Sequence, residues 1–152
     1  MPKALCGFID GPDGTGQALL IQYGPALAID IGFDPTYKMG DARPPDLAIK
    51  DVYALVDTST TESCIDNGLA ISLKLPLIDR RMISGVGGRE EANVYMAQIY
   101  CPALSHVIYG RFFGVDLAAA GQSHMATVGR TYLREFTMEY NGQTGEVSLS
   151  RP

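Results

Sequence analysis

Short apolar stretches separated by Gly, Pro, Asn and Asp recur along the whole chain, at intervals of about ten residues. This punctuation is typical of short strands joined by tight turns, and it favours a mainly β domain over a helical bundle. The predicted strands are Ala4–Ile9, Gln17–Tyr23, Ala26–Ile31, Lys50–Val56, Asn93–Tyr100, Thr137–Tyr140 and Glu146–Ser150. Apolar residues at three-to-four spacing predict one or two short helices, within Ser63–Leu73 and Arg130–Phe136. At 152 residues, the chain is expected to form a single domain, residues 1–152, with a sizeable core.

Three segments rich in turn-forming residues connect these elements. Asp10–Gly16 is predicted to be a hairpin loop between the first two strands, because its oxygen ligands do not have the spacing of an EF-hand calcium loop. Asn141–Gly145 is predicted to join the last two strands in the same way. The segment Phe33–Asp46 has no usable period and is predicted to be a long loop.

Charge and hydropathy exclude several classes of function. The 12 Lys and Arg residues are scattered among 17 Asp and Glu, so the chain lacks the positive stripe that nucleic acid needs. The apolar runs are far shorter than the roughly 20 residues of a membrane span. The first residues do not form a signal peptide, because only a short apolar run follows Lys3. We therefore expect a cytoplasmic protein with neither a nucleic-acid nor a membrane partner.

The cysteines and histidines do not indicate a metal site or a cofactor. Cys6, Cys64 and Cys101 are widely spaced and do not form a Cys-x-x-Cys pair, so the favoured interpretation is free buried thiols rather than a redox or metal role. His106 and His124 do not have ligand partners at metal-site spacing. No metal and no cofactor are predicted.

The stretch from Tyr53 to Glu62 places an acidic residue at the end of an apolar run. Asp57 closes a strand built from Tyr, Leu and Val, and small hydroxyl residues follow it at once. Hydrogen bonds from Thr58, Ser59 and nearby amides can hold a carboxylate in its charged form at such a position. Asp57 is therefore the candidate working carboxylate of the chain.

A second segment, Arg81–Arg89, contains three glycines in four positions with strand-like sequence on both sides. Such a density of glycine predicts a hairpin tip that bends and whose backbone approaches a ligand closely. It does not match a P-loop or a dinucleotide fingerprint, because neither Gly-Lys-Ser/Thr nor a helix follows. The two open interpretations are an ordinary surface hairpin and a mobile flap over a site.

A third segment, Ala126–Leu133, predicts a short apolar strand that ends in Gly129-Arg130 and leads into a helix. Gly129 allows another backbone to pass closely, which a bulkier side chain would block. Taken alone, the segment is typical of a plain structural turn.

The order and separation of these three segments resemble the retropepsin family, the dimeric aspartic proteases of retroviruses and their cellular relatives. The resemblance covers residues 17–150, and the closing portion from Gly129 to Leu149 looks especially like the non-viral, single-domain members. It implies a closed, barrel-like acid protease fold with one lobe per chain. Residues 1–16 are then an additional N-terminal strand or hairpin segment.

The resemblance also implies a site and a mechanism. A chain of this length with one Asp motif needs a second copy, so it implies a homodimer in which the two Asp57 carboxylates share one proton and activate water. The implied catalytic segment is Asp57, Thr58 and Ser59, with Thr58 bracing the two loops across the dimer axis. The implied flap over an extended, apolar-rich peptide or protein substrate consists of Met82, Ile83, Ser84, Gly85, Val86, Gly87 and Gly88. The implied structural motif beside the site consists of Val128, Gly129 and Arg130.

Two residues of this implied site leave alternatives open. Ser59 stands where the family usually has Gly, and its added side chain can strain the turn, although Ser can keep the amide in place. Arg130 is expected either to pair with Glu62 or Asp66 near the dimer contact or to be a solvated residue at the strand end.

Three hypotheses for the whole chain follow. The leading hypothesis is an aspartic-type endopeptidase. The second is a catalytically weak or inactive module of the same fold that dimerises or binds peptides. The third is an unrelated β-rich barrel in which Asp57 only forms a turn.

Overall fold

The protein is built mainly from β-strands, as the sequence predicts. The computed structural model describes residues 2–85, 88–118 and 123–152. Within these ranges the strands are β1 (Lys3–Leu5), β2 (Ala26–Gly32), β3 (Ile49–Val56), β4 (Cys64–Asp66), β5 (Leu77–Gly85), β6 (Gly88–Cys101), β7 (His106–Val115), β8 (Ala126–Val128), β9 (Thr137–Tyr140) and β10 (Val147–Ser150). The helices are α1 (Gly16–Tyr23), α2 (Asn67–Ser72), α3 (Arg130–Leu133) and a 3-10 helix, Pro102–Leu104.

The strands form a ring and a smaller sheet. The larger sheet has seven strands in the order β2-β3-β8-β4-β7-β6-β5, and a further pairing of β2 with β6 closes six of them, all except β5, into the ring. In that pairing Asp30 lies opposite Tyr100, and Ile31 lies opposite Ile99. The smaller sheet has the order β1-β10-β9. The expectation of a barrel-like β fold is therefore confirmed.

The main core is one cluster of buried side chains from both the ring and the smaller sheet. Its largest fully buried side chains include Phe112 of β7, Ile99 of β6 and Leu27 and Ile29 of β2. From Val52 to Val56, more buried residues alternate with more exposed ones along β3, as expected for a strand with one face against a core. Burial of this apolar surface is the dominant stabilising contribution to such a fold.

Cys6 and Cys101 lie within this core, and all three cysteines are free thiols. Burial raises the pKa of Cys6 to about 12 and also raises the pKa of Cys101. Both side chains therefore remain neutral, apolar-like packing groups at neutral pH. Cys64 is only half-buried.

The prediction of a strand at Gln17–Tyr23 is wrong, because this segment forms helix α1. The Thr15 side chain accepts a hydrogen bond from the Ala18 amide (3.1 Å) and so caps the helix start. Gly24 ends the helix with a positive φ of 71°. Asp10–Gly16 is consequently a connection into a helix and not a hairpin loop. With α2 and α3, the described chain has three α-helices, rather than the one or two expected.

Other expected elements differ in extent. Ser63–Leu73 was expected to be helical, but its first part forms β4 and only Asn67–Ser72 is α2. Strand β7 (His106–Val115) is absent from the predicted strands. The long loop before β3 and the hairpin between β9 and β10 are confirmed. None of the helices in the described ranges has the length and apolar character that crossing a bilayer requires.

Candidate active site

Asp57 lies directly after β3, at a point where three strands converge. β3 runs parallel to β8, with Val56 opposite Val128, and the Asp57 amide donates to the Val128 carbonyl (3.0 Å). β8 also pairs with β4, so it is inserted between the two strands that the Asp57 loop connects. We define the Asp57 loop as residues 57–63. It crosses over the end of β8, and this places it against the residues that follow Val128.

The Asp57 carboxylate is held by its own loop. The Ser59 amide donates to Oδ1 (3.0 Å), and the Ser59 hydroxyl donates to the same oxygen (2.5 Å). Asp57 is half-buried, whereas Thr58 and Ser59 are exposed. No hydrogen bond to the Thr58 hydroxyl occurs within the described residues. Thr58 and Ser59 were both predicted to hydrogen-bond to Asp57. Within the described residues, only the Ser59 hydroxyl does so.

Helix α3 anchors the Asp57 loop through its first residues. The Arg130 amide donates to the Thr60 carbonyl (2.9 Å), and the Thr131 amide donates to the Thr61 carbonyl (3.1 Å). The Arg130 guanidinium donates to the Thr58 carbonyl (2.8 Å) and to the Thr61 hydroxyl (2.9 Å). The loop that carries Asp57 and the Gly-Arg segment, some 70 residues apart in sequence, thus form one hydrogen-bonded unit.

Neither of the two acidic residues offered as partners for Arg130 forms an ion pair with it in the described chain. Asp66 instead caps α2 by accepting the Leu69 amide (3.1 Å) and also accepts the Ala118 amide (3.1 Å). The other alternative, a solvated Arg at the strand end, agrees with the exposure of Arg130, and its guanidinium also makes two defined hydrogen bonds to the Asp57 loop. Arg130 therefore holds the Asp57 loop through hydrogen bonds to a backbone carbonyl and a hydroxyl, and not through an ion pair with an acidic residue.

Gly129 lies where the Asp57 loop passes closest. A Cβ at this position would meet the Glu62 carbonyl oxygen at 2.7 Å and the Thr60 carbonyl oxygen at 3.0 Å. Both oxygens belong to the backbone, so the movement of a flexible side chain cannot make room for a Cβ. The close backbone passage predicted for this glycine is therefore present.

A buried serine that the sequence analysis missed completes this contact. Ser63 is almost fully buried, and its hydroxyl accepts the Gly129 amide at 2.8 Å. Thr131 was also missed, although its hydroxyl donates to the Thr61 carbonyl. The available signal was the run of hydroxyl residues from Thr58 to Thr61 and Ser63, of which only Thr58 and Ser59 were interpreted, as partners of Asp57.

The predicted flap is the end of the β5–β6 hairpin. The two strands pair antiparallel as far as Gly85 opposite Gly88, and Gly88 has a positive φ of 101°. Met82 and Ser84 are exposed, whereas Ile83 is half-buried. The other two predicted flap residues, Val86 and Gly87, lie outside the described residues.

Cys64 connects the flap strands with the neighbourhood of Asp57. Its side chain and that of Ile83 pack against one small cluster of Ala92, Val94 and Phe113. Burial raises the pKa of the Cys64 thiol, and the negative charge of Asp57 raises it further. Cys64 is therefore a neutral, partly apolar group between the Asp57 loop and the base of the hairpin.

A solved structure shares this architecture. The chain is similar to a retropepsin-like aspartic protease from Rickettsia conorii, with a TM-score of 0.53 over 97% of this chain and 89% of that one. The fold is retropepsin-like. The sequences are 9% identical, so the likeness concerns the fold alone. No family model matches the chain, and no curated protein matches its sequence.

One groove formed by the described residues lies away from the Asp57 loop. It has a volume of about 760 Å³, and its lining comes from β1, the residues that follow it, and the β9–β10 hairpin. Residues 57–63 do not contribute to it. The Asp57 loop presents Thr58 and Ser59 at the surface. Among the described residues, no group of three or more His, Cys, Asp or Glu is arranged to hold a metal ion.

Proposed function

We propose that the protein is an aspartic endopeptidase that acts as a homodimer. The observation that carries the proposal is the Asp57 carboxylate, fixed by the Ser59 amide and hydroxyl at the end of β3 in a retropepsin-like fold. The chain contains one such Asp-Thr-Ser motif in 152 residues. Hydrolysis by carboxylates alone needs both a base and an acid, so a second copy has to supply the second Asp57.

The chemistry is that of a coupled carboxylate pair, as is well established for aspartic proteases. Two carboxylates about 3 Å apart cannot both ionise, so they hold one proton between them. The ionised Asp57 takes a proton from a water molecule as that water attacks the peptide carbonyl carbon. The protonated Asp57 of the second copy donates its proton to the carbonyl oxygen. The pair titrates as a unit, with two macroscopic steps.

The other predicted site residues have supporting roles in this proposal. The Thr58 hydroxyl, exposed and without a hydrogen bond within the described part of one copy, is available to brace the loop of the second copy. Arg130 and Gly129 hold the loop in place through α3 and β8. Catalysis depends on such placement, because an error of about 1 Å costs roughly 100-fold in rate.

The β5–β6 hairpin would cover the substrate. An extended peptide binds to an exposed hairpin by backbone pairing, and alternate side chains enter pockets. Met82 is 52% exposed on this hairpin, and Ile83 packs against the small cluster that Cys64 also contacts. These groups favour peptides with large apolar side chains near the cleaved bond.

The test is incubation of a diverse peptide mixture with the protein from about pH 4 to 7, a range that crosses the coupled titration, with mass-spectrometric readout. Asp57→Asn should abolish all cleavage. The matched control is Asp51→Asn, because Asp51 is an exposed carboxylate on the same strand and its positive φ of 58° suits Asn equally well. Analytical ultracentrifugation of the same samples should show a dimer. Equal cleavage by the parent protein and Asp57→Asn would contradict the proposal.

Ser59 favours one second candidate, a retropepsin-fold module that binds peptides without cleaving them. Its side chain occupies a position beside Oδ1 that the family's usual glycine leaves empty. Such a module would be dimeric and would leave every peptide intact. In calorimetric titrations, its Asp57→Asn variant would bind peptides as tightly as the parent protein.

A further inference from the structure

The N-terminal segment, which the proposed function does not use, forms part of a groove on the smaller sheet. We define the terminal groove as the recess lined by Lys3, Leu5 and residues 7–9 of this segment and by residues 139–142 and 146–148 of the β9–β10 hairpin. Its volume of about 760 Å³ lies within the range of about 300–1,000 Å³ that is usual for ligand sites. The chemistry of the Asp57 loop does not explain this groove, because that loop does not line it.

Backbone contacts fix the N-terminal segment to the hairpin, so the groove has a defined shape. The Cys6 amide donates to the Val147 carbonyl (2.8 Å), and the Phe8 amide donates to the Gly145 carbonyl (2.8 Å). A Cβ at Gly7 would collide with the Gly145 carbonyl oxygen and the Val147 amide nitrogen, so the two backbones are in direct contact there. A ligand therefore meets a preformed surface, and little of its binding free energy is lost in ordering the protein.

The terminal groove exposes large apolar side chains. Leu5 and Ile9 are 81% and 75% exposed, which places them among the most exposed large apolar side chains of the described residues, and Tyr140 is also exposed. Leu5 lies on the outer face of β1, whereas its neighbour Ala4 is buried. Large apolar side chains that are gathered in one recess and left uncovered are typical of a binding surface.

The charges around the terminal groove are mainly negative. Glu139 and Glu146 line it, and Lys3 is the one basic residue among the described residues of its lining. Glu146 also lines an adjoining recess of about 400 Å³, together with Asp10. Within the described residues, none of these three carboxylates forms an ion pair. The two recesses thus make an elongated surface that complements an extended chain with cationic side chains.

We propose that the terminal groove is a peptide-binding site separate from Asp57, which takes an extended segment of a partner protein that carries both apolar side chains and Lys or Arg. The apolar side chains cover Leu5 and Ile9, and the cationic side chains lie beside Glu139 and Glu146. A second copy of this chain is a poor occupant, because it carries a net charge of −5 and would bring further carboxylates to an acidic surface. The proposal does not rest on the function assigned to Asp57.

The probe is a fluorescein-labelled peptide of about ten residues, the upper length of an ordinary strand, in which Leu and Val alternate with Lys. The matched peptide carries Glu in place of Lys. Fluorescence anisotropy measures the binding of both to the full chain with Asp57→Asn, so that the probe stays intact. We expect the lysine peptide to bind roughly tenfold more tightly than the glutamate peptide, and to bind more weakly as salt is added. Failure of the lysine peptide to bind at about 1 mM would overturn the proposal.

Variants of the groove locate the bound peptide. Leu5→Ser should raise the Kd of the lysine peptide about tenfold, because an apolar contact is lost. The matched control is Ile21→Ser, since Ile21 is 79% exposed on α1 and does not line the groove. Glu146→Gln should raise the Kd about threefold, whereas Asp51→Asn, which removes an exposed carboxylate elsewhere, should leave it unchanged. Equal Kd values for Leu5→Ser and Ile21→Ser would overturn the proposal, with circular dichroism as the check of folding.

Two further measurements separate the proposal from its alternatives. In sedimentation experiments, a dimeric parent and a monomeric Leu5→Ser variant would show that a second copy covers the groove, and this would overturn the proposal. Peptide cleavage by the parent is scored independently. Binding that depends on Leu5 without any cleavage would support the terminal groove and count against the endopeptidase. Cleavage together with binding that is insensitive to Leu5 would support the endopeptidase and overturn the role of the groove.

Discussion

Replacing Gly129 with Ala tests the closest backbone contact of the candidate site. The added Cβ would lie 2.7 Å from the Glu62 carbonyl oxygen, whereas ordinary contacts begin at 3.4 Å. The Asp57 loop would have to retreat by the difference, about 0.7 Å. The Gly129 backbone itself is not a source of strain, because its φ of −91° and ψ of −176° suit Ala.

The retreat would also weaken the hydrogen bonds at this point. The Arg130 amide lies 2.9 Å from the Thr60 carbonyl, and a lengthening of this size takes the pair beyond ordinary hydrogen-bonding distance. Overpacking of this kind costs about 1–3 kcal/mol, and the lost hydrogen bond adds about 1 kcal/mol. The lower chain entropy of unfolded Ala returns about 0.4–1 kcal/mol. The expected net loss for Gly129→Ala is about 2 kcal/mol.

Urea denaturation at pH 7, followed by circular dichroism, measures this loss. The transition midpoint should fall while the slope of the free energy against urea stays constant. Gly11→Ala is the control, because a Cβ at Gly11 meets nothing within 4 Å. Equal free energies of unfolding for the two variants would refute the argument that Gly129 is required by the passage of the loop.

Three further predictions concern stability. Ser63→Ala removes the buried hydroxyl that accepts the Gly129 amide, and urea denaturation should show a loss of about 1–2 kcal/mol. The hydrogen bond from the Asp46 amide, aided by other donors, lowers the pKa of Asp34 from 3.8 to about 2. The ionised Asp34 carboxylate therefore stabilises the fold fully above pH 3.8, and this contribution is lost as the pH falls towards 2. The urea midpoints of the parent and Asp34→Asn should converge over that interval, and a constant difference between them would contradict this prediction. Burial lowers the pKa of His106 below 6.5, so the folded protein favours the neutral imidazole. The parent should therefore lose stability as the pH falls below 6.5, and His106→Gln should lose less. Thermal denaturation between about pH 7 and 5 measures this difference.

The sequence predicted best those parts of the fold that depend on local patterns. Strand β9 (Thr137–Tyr140) has the predicted bounds, and β2 and β3 differ from prediction by one residue at one end. The tight turn from Asn141 to Gly145 was equally visible, because its residue types are those that the conformation requires. Pairings between distant segments were accessible only through the resemblance to a family, because the insertion of β8 between β3 and β4 depends on contacts across the chain.

Helix α1 shows why apolar content misled the strand prediction. Only Gly16 and Leu20 are buried in this helix, and Ile21 is 79% exposed, so the apolar residues do not form a one-sided stripe. Without such a stripe, the run of apolar residues was assigned to a strand. The informative signals were the cap residues at either end, Thr15 and Gly24.

In the candidate site, the residues that stand out by type and order were predicted, whereas two that act only through hydrogen bonds to a distant segment were not. Asp57, Gly129 and Arg130 stand out by type and order. Ser63 and Thr131 act only through hydrogen bonds to the backbone of another segment. Such bonds depend on which segments meet in the folded chain, so a run of hydroxyl residues does not show which segment each hydroxyl contacts.

The insertion of β8 between β3 and β4 also determines when the Asp57 loop can take its final shape. Its anchors, the Val128 carbonyl, the Gly129 amide and the Arg130 guanidinium, are all translated long after residue 57. A nascent chain that ends before β8 lacks the strand that lies between β3 and β4. The Asp57 loop then lacks the backbone and side-chain groups to which it hydrogen-bonds in the folded protein. Emergence of residues 126–131 from the ribosome is therefore the earliest moment at which these contacts can order the loop.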